Sequence, residues 1–351
     1  MIRIRTLLLF ILPLLLSQLL YHEVYSFYGT TLINEMYGSQ QFLFVDLFAF
    51  NDGAGLGNLV FELVGTIVLA RKLERSLVVH RTVYDKMQNK YPEFNNLISE
   101  MQWNVSNEII PFGAVFNYQS YHCCRFNPRW ESISPKGPVT TVKVAYIQSF
   151  KYFESIDLSD IRHLLAVNET LRSIAREGLI PISTLNNFDH KLCVHSRRGD
   201  FLHSFEQAPS TQEFTVPAVD FVLRQLKSKA RHPLVVMMGD DLYWQRETAK
   251  KIKSAETVVL PRSASSTSAS IDWQFSEMHC DTVLLTAAAS TFGWWTAYVS
   301  KGQQVYYNSI YGKQDRFGDH LDPHEFFPNS WTSLELDRSH NEVIGPRLIR
   351  S

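Results

Sequence analysis

The sequence predicts an α/β protein built on parallel sheets, and three observations carry that prediction. From Lys191 onward short apolar strands alternate regularly with helical patterns. Nearer the N-terminus a strand runs through a glycine-rich turn into an apolar-periodic helix and then a second strand. Polar clusters fall at the ends of several of these strands. Alternation of this kind implies strands covered by helices on both faces, with ligands bound at the carboxyl ends of the strands.

At the N-terminus, Arg3 and Arg5 precede an uncharged apolar run from Thr6 to Leu20. As a helix that run is roughly 22 Å long, short for a plasma-membrane span. It suits a signal-anchor in a thinner early-secretory membrane; Val24-Tyr25-Ser26 offers the alternative of signal-peptide cleavage after Ser26. The anchor is preferred, because Pro13 and the gap to Ser26 are only modestly signal-like. Both readings place the rest of the chain in the lumen, since the positive flank stays cytoplasmic. The sequons Asn104-Val105-Ser106 and Asn168-Glu169-Thr170 agree with that. The expected organisation is an anchor over residues 1–26, a stem over 27–40, an α/β domain over 41–187 and a second α/β domain over 188–351.

Phe42 to Phe50 reads as a strand, Asn51 to Asn58 as a turn, Leu59 to Glu74 as a helix and Ser76 to His80 as a strand. Gly55 and Gly57 let backbone approach a ligand at the helix start, beside Asn58. The glycine spacing differs from a dinucleotide fingerprint, and His80-Arg81 supplies no acidic residue after the second strand, so a nicotinamide or flavin site is rejected. Val83 to Asn187 reads as irregular, with one helix near Ile161 to Glu177. Ile180 to Asn187 reads as the domain linker. Strands LCVHSRR, PLVVMMGDD, TVVLPR, TVLLTA and QQVYYN then alternate with helices near Val216–Ala230, Tyr243–Ser254, Ser270–Cys280 and the segment STFGWWTAYVS.

With 351 residues, 45% hydrophobic and 20% charged, the chain has a globular composition and room for two domains. Its net charge of -1 excludes the global basic field on which nucleic-acid binding relies. An anion site must therefore be local, and strand LCVHSRR ends in one. Arg197 and Arg198 present planar donor forks suited to a diphosphate, with His195 and Asp200 beside them. Asp240 and Asp241 are adjacent rather than spaced as metal ligands; Asp241 suits a helix N-cap, and Asp240 faces the crevice to meet a nucleotide hydroxyl or base. Ser290, Thr291 and Phe292 open a helix whose hydroxyls and N–H groups can grip a phosphate, while Trp294 and Trp295 read as core. Asp272, at the opening of the preceding helix, can cap it or accept from a guanine edge. Cys123, Cys124, Cys193 and Cys280 allow three pairings that spacing does not choose between, and a buried free thiol suits Cys193 at least as well as a bridge.

At these residues the chain resembles the α-1,2-fucosyltransferase family. Gly55-Leu56-Gly57-Asn58 is similar to that family's GLGNQ turn, His195 to Asp200 to its HxRRxD motif, and Ser290 to Trp295 to its STF(S/G)WW segment. Val236 to Trp244 resembles its SDDxxW stretch with Gly239 in place of Ser, and Leu59 replaces the usual Gln. The resemblance implies two Rossmann-like domains facing a cleft, a GT-B-like arrangement with GDP in the second. It implies inverting, metal-independent transfer of L-fucose from GDP-fucose, in α-1,2 linkage, to a galactose or other sugar hydroxyl of a glycan on a glycoprotein or glycolipid, by a single-pass type II Golgi membrane protein with a lumenal catalytic domain. No cofactor beyond the donor is expected. By the same resemblance Arg197 binds the β-phosphate, and Arg198 and His195 support the nucleotide. The general base is left between Glu206 and Asp200, of which Asp200 equally suits orienting an arginine. Three rival readings are a non-catalytic, transferase-like carbohydrate-binding protein of the lumen, a fucosyltransferase with another acceptor linkage, and a lumenal sulfotransferase, for which the glycine turn lacks a lysine.

Overall fold

The computed structural model describes residues 40–47, 54–104, 114–119, 123–135, 137–228, 230–261, 268–312, 320–337, 339 and 342–345. The expected anchor, the expected stem up to residue 39, the turn residues Asn51 to Gly53, and Val105 and Ser106 of the first sequon lie outside them. Among the described residues no helix is long and apolar enough to cross a membrane.

Two sheets organise the chain. In the first, β1 (Phe42–Leu47), β2 (Ser76–His80), β3 (Met101–Asn104), β4 (Ala114–Gln119) and β5 (Val139–Ala145) lie in the order β3-β2-β1-β5-β4, all pairs parallel. The second contains β6 (His190–Ser196), β7 (Pro233–Gly239), β8 (Glu256–Val259), β9 (Thr282–Leu285), β10 (Gln304–Asn308), β11 (Thr332–Asp337) and β12 (Glu342–Ile344). Its order is β12-β11-β10-β9-β6-β7-β8, parallel except where β12 closes the edge against β11. Strand β6 is thus central, and its register sets Ser196 opposite Gly239. Leu192, Cys193 and Val194 are fully buried, as a strand covered on both faces requires.

The region expected to be irregular supplies β3, β4 and β5. Strand β5 (VTTVKVA) is a β-branched run behind Gly137-Pro138, a strand signal that scattered prolines and aromatics nearby obscured. The helix expected over Ile161 to Glu177 is divided into helices Leu158–Leu164 and Glu169–Ser173 and a π-helical turn Ile174–Gly178. Asn168 makes the break, its side chain accepting from Leu171 N at 3.0 Å as an N-cap. The expected linker contains the short helix Ile182–Leu185, anchored by buried Leu185.

One continuous hydrophobic core passes through both sheets. At its centre Phe61, from the helix Leu56–Lys72, packs 4.6 Å from Trp294 and 4.9 Å from Trp295 of the helix Thr291–Tyr298. Both indoles are fully buried, and each finds an acceptor: Trp295 Nε1 donates to Gly57 O at 3.1 Å and Trp294 Nε1 to Phe326 O at 2.9 Å. Buried indoles satisfied in this way lock the two sheets together.

Cys193 and Cys280 form a disulfide, with Cα atoms 5.6 Å apart, so the free-thiol reading of Cys193 does not hold. Cys280 follows the helix Ser268–His279 and ties it to β6 beneath the site. Cys123 and Cys124 are joined to each other.

Candidate active site

Between the carboxyl ends of β6 and β9 and the start of the helix Leu56–Lys72 lies a cleft of about 560 Å³. Its second-sheet wall carries Arg197, Asp200, Phe201, Glu206 and Gln207, and its floor Ser290, Thr291 and Phe292. Gly55, Gly57 and Asn58 face them, and Cys123, Tyr146 and Gln148 complete the opposite wall.

Arg197 is held rather than loose. Its Nε lies 2.8 Å from Asp200 Oδ1 and 3.3 Å from Asp240 Oδ2, its backbone N–H donates to Ser210 Oγ at 3.0 Å, and its guanidinium sits over the Phe201 ring. Both carboxylate contacts use Nε, and the side chain lines the cleft. A guanidinium held by its Nε presents its remaining donors with little rotamer search, which favours a planar oxyanion.

Arg198 turns the other way. Its Nε donates to Asp241 Oδ2 at 3.1 Å, its Nη1 donates to Ser210 O at 2.7 Å, and it covers the Trp244 ring at 5.0 Å. Arg198 does not line the cleft; it braces the turn that carries Arg197. Asp240 acts on the same turn, accepting from Arg198 N at 2.9 Å and Gly199 N at 3.0 Å. Asp241 is the N-cap of the helix Leu242–Ala249, accepting from Trp244 N at 2.9 Å. Gly239, where the sequence pattern has Gly in place of Ser, has φ +137, and a Cβ there would fall on the Ser196 carbonyl oxygen. This close crossing lets the Asp240 carboxylate reach under the arginine turn.

His195 is buried and does not line the cleft. Its carbonyl accepts from Thr286 N and Oγ1, and its ring packs behind Phe292 and Gly293. A Cβ on Gly293 would lie 2.5 Å from the imidazole Nδ1, so the glycine makes room for the ring. Asp272 is also buried and outside the cleft lining; the helix begins at Ser268, which puts Asp272 inside it rather than at its opening.

The floor is a helix start with Ser290 as N-cap, its hydroxyl accepting from Gly293 N at 3.2 Å. Thr291 Oγ1 donates to Asn58 Oδ1 at 2.6 Å, joining this helix to the facing one. The facing helix begins at Leu56, so Gly57 and Asn58 lie in its first turn. A Cβ on Gly57 would lie 2.6 Å from Phe292 N and from Thr291 C, so only glycine permits the two helix starts to meet. The first turns of two helices therefore meet in the cleft that Arg197 lines, and helix starts favour an anion.

Tyr146, Gln148, Phe201 and Gln207 line the cleft without having been singled out by sequence reasoning. The first two follow β5, and locating that strand was the signal that would have found them. Among the described residues no group of three or more His, Cys, Asp or Glu side chains is placed to hold a metal ion.

The profile of glycosyl transferase family 11 matches residues 138–335. A galactoside 2-alpha-L-fucosyltransferase of Caenorhabditis elegans is 29% identical over 313 residues, 83% of this chain and 77% of that protein. A second protein of the same name and organism is 30% identical over 297 residues, 81% of this chain and 78% of that protein. Among solved structures, NodZ alpha-1,6-fucosyltransferase soaked with GDP-fucose aligns with a TM-score of 0.43 and 10% identity over 88% of this chain and 99% of that one. POFUT1 in complex with GDP-fucose aligns with a TM-score of 0.41 and 12% identity over 77% of this chain and 98% of that one.

Proposed function

This chain belongs to glycosyl transferase family 11, and on that premise we propose that it transfers L-fucose from GDP-fucose to the O2 hydroxyl of a galactose, with inversion. The observation that carries the reading is the placement of Arg197 in the cleft, its Nε held by Asp200 and Asp240, with two helix starts lining the same cleft. An anionic diphosphate placed there meets fixed positive charge and N–H dipoles that are already aligned. As the galactose oxygen forms its bond to the fucose anomeric carbon, the bond from that carbon to the β-phosphate oxygen breaks. The departing GDP gains charge, which Arg197 and the Ser290–Phe292 helix start stabilise without reorganisation.

The hydroxyl proton passes to a carboxylate. Among the described residues, Asp200 and Glu206 are the acidic ones lining the cleft. Asp200 is committed to Arg197, its Oδ1 lying 2.8 Å from the Arg197 Nε. Glu206 is therefore assigned the general base, and Asp200 the orientation of Arg197. Charge neutralisation by protein groups alone accounts for the leaving group, so metal-independent transfer is part of the proposal. His195, Arg198 and Asp240 act by building the arginine turn, and Asp272 by packing behind the floor.

The reading includes a Golgi membrane location with the catalytic part in the lumen. Arg3, Arg5 and the apolar run Thr6 to Leu20 support it, as does the buried Cys193–Cys280 bridge, which an oxidising compartment favours. Incubation of the purified protein with GDP-fucose and lactose tests the function. Fucosylated product with release of GDP is expected; GDP binding without any transfer to a galactoside would overturn it.

A further inference from the structure

The wall opposite Arg197 is made by a backbone corner. Strand β5 is hydrogen-bonded to β1 as far as Val144, and the chain then turns through Tyr146 at φ +50, a left-handed conformation that side chains other than Gly, Asn and Asp seldom adopt. Gln148 N donates to Tyr146 O at 2.7 Å and to Cys123 O at 3.0 Å, which tightens the corner. Tyr146 and Gln148 both reach the cleft, and Ile147 between them is buried.

The helix Leu56–Lys72 is shaped at two positions to hold this corner. Glu62 is fully buried, and its Oε1 accepts from Tyr146 N at 2.8 Å. A carboxylate inside an apolar core is costly, and its neighbours Phe61, Leu63 and Val64 show what burial alone selects there. Three residues further on, a Cβ on Gly65 would lie 2.8 Å from Ile147 Cδ1, so glycine provides the slot in which Ile147 sits.

We infer that Glu62 is a positioning residue for an acceptor-sugar subsite formed by Tyr146 and Gln148. The inference rests on the donor reading of Arg197: with the diphosphate on the second-sheet wall, Tyr146 and Gln148 line the facing wall, and a phenol and an amide suit the ring hydroxyls of a β-galactoside. Glu62 touches neither substrate and acts through the Tyr146 amide.

Lactose binding followed by saturation-transfer NMR in the presence of GDP tests this, together with calorimetric GDP binding to each variant. Glu62→Leu removes the acceptor of the Tyr146 amide, and Gly65→Ala presses on Ile147. Each is expected to weaken lactose binding by about tenfold or more while GDP affinity stays within about threefold. Glu62→Gln keeps a carbonyl oxygen in place and is expected to retain lactose binding. Gly65→Ala reads the same corner without touching the buried carboxylate, so an unfolded Glu62→Leu does not remove the test. Unchanged lactose affinity in Gly65→Ala, or equal losses of lactose and GDP, overturns the inference. A wild-type protein that binds lactose but not GDP, with lactose binding lost in Gly65→Ala, would sink the donor reading while keeping the corner as a sugar subsite. GDP binding in a wild-type protein that does not bind lactose would do the reverse.

Discussion

Thr291 Oγ1 donates to Asn58 Oδ1 at 2.6 Å and so fastens the helix starts of the two halves together at the cleft floor. Thr291→Val keeps the shape and removes the donor, leaving Asn58 short of one partner. Loss of a single hydrogen bond of this kind costs about 1 kcal/mol in urea unfolding. Fucosyl transfer is expected to fall further than stability, because the bond aligns the N–H groups that face the donor. Gly57→Ala, which pushes the Thr291–Phe292 peptide away from the facing helix, is expected to lose both fold and activity.

Arg197→Ala is expected to abolish transfer and weaken GDP binding in calorimetry, with an unchanged circular dichroism spectrum. Arg197→Lys should fail as well. A point charge does not reproduce a fork that Asp200 and Asp240 hold by its Nε. Wild-type turnover in either variant would remove Arg197 from the mechanism.

Arg198 is predicted to act through stability. Its partners Asp241 and Ser210 O are partly buried, and its guanidinium covers Trp244. Arg198→Ala strands the Asp241 carboxylate, a class of change that costs about 3 kcal/mol when the pair is buried and less at this partial exposure. A double-mutant cycle with Asp241→Asn in urea unfolding checks it. Near-zero coupling would contradict the bracing role.

The Cys193–Cys280 bridge spans 87 positions of chain. A cross-link closing a loop of that length stabilises a fold by about 4 kcal/mol in the chain-entropy account. Cys280→Ser is expected to lower the thermal midpoint by several degrees, and dithiothreitol to do the same to the wild type after unfolding exposes the bond.

His190 and His279 both have pKa values lowered by burial. The folded state then holds fewer protons than the unfolded state, whose imidazoles titrate near 6.5. Their contribution to stability is complete above that pH and is lost as pH falls through it toward the lowered folded values. Urea midpoints at pH 7.5 and 5.5 should differ, and a His190→Gln/His279→Gln protein should show a smaller difference.

The sequence by itself determined the class of fold and most of the cleft. Apolar runs such as LCVHS and PLVVMMG cannot be half-exposed, and strands covered on both faces alternate with helices; the run from β6 to β10 follows from that. Arg197, Asp200, Glu206, Ser290, Thr291, Phe292, Gly55, Gly57 and Asn58 reach the cleft because strand ends and helix starts in such sheets share one edge. The opposite wall was not legible. Tyr146 and Gln148 follow β5, whose pairing with β1, residue to residue 97 positions apart, no local pattern records. Only the tertiary structure decided which way each polar group of the arginine turn faces. Arg197 and Arg198 are adjacent and chemically alike, yet Asp240, Asp241 and Trp244, brought in by β7, point the first at the cleft and hold the second beneath it. Side-chain direction at a strand end is set by the neighbouring strand's carboxylates, and that is information carried by contact rather than by order in the chain.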